Sequence, residues 1–195
     1  MHTEQNNLMG KDGNAQPSWF ALYTRHKHEK VVARALEGKG LETFLPLYAT
    51  TRRWQDRTKV ISLPLFPCYV FLRGGVDRRL DILTTPGVHS IVSTAGQPAA
   101  IPSDVMDGVR RTAESGARVD PHPFLKHGES VRIKSGVLAG VKGILVRKKN
   151  VLRLVVSVEI LGKAVAVEVD ADLVEKLSEE RRNISAVVRG QVFVN

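Results

Sequence analysis

From residue 128 onward, apolar side chains recur at every second position. Val131 and Ile133 alternate with Arg132 and Lys134, and Val165, Val167 and Val169 alternate with Ala166 and Glu168; Ile144, Val146, Leu152, Leu154 and Val156 form the runs between them. A period of two puts one set of side chains on one face of a pleated strand, which commits this stretch to half-buried strands. Gly128, Gly136, Gly140 and Gly143 fall between the runs, where tight turns need positive φ or close backbone approach. The pattern specifies a small β-barrel over residues 128–177. Valine density and the interrupting glycines, Gly162 among them, weigh against a helical form of the same segment.

The first half of the chain mixes periods. Residues 1–17 are polar, show no period and read as a disordered lead. Trp19 to Tyr23 suits a buried strand, and His28 to Lys39 takes the helical period, with Val32, Ala35, Leu36 and Lys39 on one face. A long hairpin follows, with the polar stretch Thr51 to Lys59 at its tip. Its return strand holds Leu63, Leu65, Phe66, Tyr69, Val70, Phe71 and Leu72 around Pro64 and Pro67. Proline cannot donate to a central ladder, so that strand is expected to bend or restart at Pro67. Arg78–Leu83 reads as a short helix, Val88–Val92 as a strand, and Ser103 as the cap of a helix through Val105, Met106 and Val109. Residues 18–115 thus form an α+β domain. Residues 116–127 carry two prolines and no period and read as a linker, and residues 178–195 form an extension to which the sequence assigns no role.

Lysine and arginine number 29 against 20 acidic residues, a net charge of +9, which favours polyanionic surroundings through counterion release. No apolar run reaches the roughly 20 residues of a membrane span and the start lacks a secretory apolar core, so a cytoplasmic monomer is expected. The single cysteine, Cys68, excludes an internal disulfide and a cysteine-rich metal site. No HExxH occurs, and the glycines of GVLAGVKG lack the Gly-Lys-Ser/Thr ending of a phosphate loop. His26 and His28 make at most a weak metal pair, with exposed or phosphate-facing roles the better reading. No enzyme, cofactor or metal site is expected.

Five segments are similar to the NusG family, including its specialised RfaH-like and UpxY-like paralogues, across residues 18 to about 177. They are SWFALYTR at 18–25, PLFPCYVFL at 64–72, PGVHSIV at 86–92, IPSDVMDGV at 101–109 and GESVRIKSGVLAGVKGILV at 128–146. FPCYVFL resembles the family's FPGYV-type signature, and GESVRIKSGVLAGVKG resembles the KOW motif. The resemblance implies a NusG-type α/β sandwich followed by a small SH3-like KOW barrel. It also implies a transcription elongation and antitermination factor whose N-terminal domain grips the clamp helices of the largest subunit of RNA polymerase. That grip asks for an exposed apolar patch with a polar rim, for which Tyr23, Phe66, Pro67, Tyr69 and Ile101 are the candidates.

Arg25, Lys27, Lys30 and Arg34 gather around the first helix, and Arg52 and Arg53 crowd the hairpin tip with Arg57 and Lys59. In RfaH-like proteins a comparable surface meets non-template DNA, and Trp54 offers a stacking platform for an unpaired base; a solvated helix face is the bland alternative. The KOW resemblance implies recruitment of Rho or a ribosomal protein, with Ile160 and Leu161 in the contacting loop. The divergent loop, the linker and the tail favour a specialised paralogue. The rival reading is a ribosome-associated or RNA-binding KOW protein, for which the basic balance and the turn at Arg147, Lys148 and Lys149 suffice.

Overall fold

The computed structural model describes residues 17–54, 57–125, 128–148 and 151–177. The expected disordered lead, apart from Pro17, and the C-terminal extension lie outside the described residues. The first sheet has the order β2-β5-β1-β6, built from β1 (Trp19–Thr24), β2 (Glu42–Phe44), β5 (Tyr69–Arg73) and β6 (Val88–Ile91). β1 and β5 are its antiparallel centre, with Trp19 opposite Arg73 and Tyr23 opposite Tyr69. Their alternate residues serve two separate cores. Leu22, Val70 and Leu72 bury against Val32 and Leu36 of α1 (Glu29–Gly38) and Ile82 of α2 (Arg79–Leu83), while Trp19, Ala21 and Phe71 face the opposite way. Both faces of this sheet are therefore buried, which accounts for the nearly unbroken apolar runs at 19–22 and 69–72.

The expected hairpin is present as β3 (Leu47–Trp54) and β4 (Arg57–Pro64), paired among the described residues only with each other. The chain then restarts at β5, as Pro64 and Pro67 require. A two-residue pair, β7 (Ser93–Thr94) with β8 (Gln97–Pro98), leads to α3 (Ser103–Glu114). Ser103 does not cap α3. Pro102 takes that position and its carbonyl accepts the amide of Met106 at 3.2 Å, so the fixed φ of proline sets the helix start in place of a side-chain bond. The Arg110 guanidinium of α3 stacks over Phe44 at 5.0 Å and over Trp19 at 5.4 Å, pinning the helix to the sheet.

The C-terminal unit is a six-stranded antiparallel sheet of order β14-β10-β11-β12-β13-β9. Its strands are β9 (Val119–Pro123), β10 (Glu129–Ile133), β11 (Lys142–Lys148), β12 (Val151–Val158), β13 (Lys163–Val169) and β14 (Val174–Lys176). The segment is strand throughout its main elements, as its period of two requires. One expectation needs correction: residues 119–123, read as linker, form a strand on β13, with Val119 opposite Val167 and Pro123 opposite Lys163. Proline is tolerated there because β9 is an edge strand. The fastening comes from buried Val119 and from Arg153 of β12, whose guanidinium donates to Asp120 at 2.6 Å, an ion pair that local periodicity does not reveal.

The two units share one apolar core. Trp19, Ala21, Leu65, Phe66, Phe71, Ile101, Met106 and Val109 form a single buried cluster with Val131, Leu138, Val141, Val156, Val158 and Leu161. The joint runs along α3: a Cβ placed on Gly108 would stand 3.6 Å from Val141 and 3.7 Å from Val156, and Arg111 donates to the carbonyl of Ala139. Gly108→Ala therefore fits at ordinary contact distance and Gly108→Leu does not. Leucine also favours helix over glycine by somewhat under about 1 kcal/mol, so α3 itself survives. Small-angle scattering should show a larger radius of gyration for Gly108→Leu and an unchanged one for Gly108→Ala.

Candidate functional site

Of the expected polymerase-binding residues, Tyr23, Phe66, Pro67 and Tyr69 gather at the Tyr23 end of β1 and the turn before β5, whereas Ile101 bridges to Trp19 at the other end of β1. Tyr23 and Tyr69, register partners, meet with ring centroids 5.5 Å apart, and Tyr23 stacks on His89 of β6 at 5.7 Å. Tyr23 is 38% exposed and Pro67 is exposed, while Tyr69 is half-buried. Phe66 and Ile101 differ from the expectation of an open patch, at 1% and 3% exposure. Phe66 meets Phe71 edge-on at 5.4 Å, and the Ile101 amide donates to Trp19 at 2.8 Å. Both belong to the core that the C-terminal sheet completes. Sequence reasoning missed His89, which no periodicity distinguishes.

The KOW candidates sit on the other side of the same joint. Leu161 is buried in the shared cluster and Ile160 packs against it, both in a short 3₁₀ turn between β12 and β13. Phe66 and Ile101, assigned from sequence to one partner, and Leu161, assigned to another, thus lie in one buried cluster, while Tyr23 and Pro67 stay exposed. Burial of Tyr69 raises its hydroxyl above the ordinary tyrosine value, with nearby Tyr23 and Cys68 adding to the effect.

The loop from Arg25 to His28 joins this site to the basic surface. Arg25, Lys27 and Arg34 are exposed as expected. Lys30 instead tethers the hairpin, its ammonium donating to the Ser62 carbonyl of β4 at 2.8 Å, so helix and hairpin present one face. On the hairpin Arg52 lies directly opposite Lys59 and Arg53 opposite Thr58. Like charges facing across a ladder destabilise it. The Trp54 side chain lies outside the described residues.

Glu29, the first residue of α1, was not anticipated as a site residue. It is 4% exposed, and its carboxylate accepts the Cys68 amide at 2.7 Å, fastening the turn before β5 to α1. Burial raises the Cys68 thiol above the ordinary value and the Glu29 charge adds to this, against a smaller lowering by Lys163 of β13. Lys163 acts on Cys68 across the joint.

Residues 17–110 match the family described as NusG, transcription termination factor. This part of the chain is similar to a NusG-family domain. The transcription termination/antitermination protein NusG of Pseudomonas aeruginosa is 28% identical over 174 residues, covering 82% of this chain and 98% of that protein. The NusG of Staphylococcus carnosus is 27% identical over 176 residues, with 82% and 95% covered. Among solved structures, one titled "Domain interaction in Thermotoga maritima NusG" covers 84% of this chain and 98% of its own, at 21% identity and a TM-score of 0.51. That likeness is one of fold, and the C-terminal sheet is consistent with a KOW domain.

Two outcomes test this geometry. Glu29→Ala leaves the Cys68 amide without its acceptor and should lower unfolding stability by about 1–3 kcal/mol in urea titration. With chelator present, the pH at which Cys68 reaches half its maximal alkylation rate should lie above that of a cysteine peptide, because burial and Glu29 both disfavour the thiolate.

Proposed function

We propose that this chain is a transcription elongation and antitermination factor that binds the clamp helices of RNA polymerase through the surface around Tyr23, Phe66, Pro67, Tyr69 and Ile101. The carrying observation is the shared core: Phe66 and Ile101 of that surface and Leu161 of the KOW unit are buried together. An apolar surface of this kind costs stability when left in water, and it needs either the C-terminal sheet or a protein partner. In this reading the described chain is a closed state, and opening delivers the N-terminal surface to polymerase and the Ile160–Leu161 turn to a second protein, a ribosomal protein or Rho. The basic face formed by α1 and the hairpin would then lie against non-template DNA. The closed joint and the divergent loop support a specialised paralogue over a housekeeping factor.

The balance follows from linkage. If only the open form binds polymerase, the apparent affinity falls by the fraction of open molecules, and loosening the joint restores it. Binding to purified core polymerase should therefore tighten about tenfold or more in Gly108→Leu. Adding Tyr23→Asp to that variant should abolish the gain, and passage through a pause and a terminator should follow the same order. No binding by any variant, beside tight binding to structured RNA alone, would favour the RNA-binding KOW reading.

A further inference from the structure

We propose that His26, Glu29 and Cys68 form a site for a zinc-class divalent cation on the N-terminal domain. Three different elements bring them together: His26 lies in the loop after β1, Glu29 opens α1 and Cys68 occupies the turn before β5. One ligand atom from each lies within 4.8 Å of the other two. The Cys68 Sγ stands 3.8 Å from the His26 Nδ1. Sulfur and nitrogen on a tetrahedral zinc, at bond lengths near 2.3 and 2.0–2.1 Å, stand about 3.5 Å apart, so a small side-chain adjustment completes the geometry. The Glu29 carboxylate is already fixed: Oε1 accepts the Cys68 amide at 2.7 Å, and the carboxylate is held at the cluster instead of in solvent. His28 adds support by bonding the His26 carbonyl through its Nδ1 at 3.1 Å.

The donor set selects the ion. One sulfur, one imidazole nitrogen and one carboxylate oxygen suit zinc and its borderline neighbours, whereas magnesium and calcium take oxygen sets. Three protein ligands leave a fourth position, and His26, being exposed, puts it on the solvent side. The backbone around the cluster is unusual in the same direction. Cys68 and Lys27 hold φ of 67° and 63°, left-handed conformations that glycine adopts freely and other residues do not, and Cys68 stands where the resembled signature has glycine. This site is separate from the polymerase reading and stands or falls without it.

The test is zinc titration of the tag-free, reduced full chain by competition with a chromophoric chelator, repeated with cobalt(II) as a spectroscopic probe. One equivalent should bind, and the cobalt form should show a thiolate charge-transfer band. Cys68→Ser should remove that band, and Cys68→Ser and His26→Ala should each weaken zinc binding about tenfold or more. Both substitutions are at positions outside the apolar cores, so circular dichroism should show folded protein. Absence of stoichiometric binding, or binding that persists in both variants, overturns the proposal and leaves a thiol–imidazole hydrogen bond.

Discussion

Trp19, Ala21 and Phe71 put apolar side chains on the face of the central sheet that α1 does not cover, and α3 alone does not cover it either. The remainder is filled by Leu138, Val141, Val156, Val158 and Leu161 from the C-terminal unit. Because β1 and β5 are buried on both faces, the register of the first sheet, the seating of α3 and the placing of Phe66 all rest on this burial. Removing apolar area from water is its driving force, at about 25 cal/mol per Å². The joint remains one that a chain can open, since it is made of side chains from two units and contains few directional bonds, Arg111 to Ala139 being one.

Charge is distributed on a different plan. The ion pairs holding the C-terminal sheet join β9 to β12 through Asp120 and Arg153, and β10 to β14 through Arg132 and Glu175 at 2.5 Å. The cations of α1 and the β3–β4 hairpin belong to the other unit, with Arg52 facing Lys59 and Lys30 bonded to a backbone carbonyl. One part of the molecule thus uses charge to hold itself together and another displays it. This division lets a net charge of +9 coexist with an ordered fold.

Period and punctuation made the C-terminal strands, the hairpin and α1 legible in the sequence, because burial on one face leaves a pattern that short-range reading recovers. The strand at 119–123 was not legible. Its two prolines and lack of period describe a linker, and only the distant Arg153 and the ladder of β13 make it a strand. The same limit applied to Phe66 and Ile101: a sequence shows that they are apolar, and not which unit covers them. Gly108 gave no signal as a helix glycine until its neighbours Val141 and Val156 were seen. Glu29 and Cys68, 39 positions apart, meet only through the fold.

The central claim is that the core shared by Phe66, Ile101 and Leu161 is closed in the free chain and opens when polymerase is engaged. It is tested most directly by spin labels at Glu114 of α3 and Glu159 after β12, with Cys68 replaced by serine, measured by pulsed electron resonance on the full chain. The account predicts one narrow distance distribution in the free chain that becomes broad on adding core polymerase. A broad distribution in the free chain, or a narrow one that polymerase leaves unchanged, would contradict it.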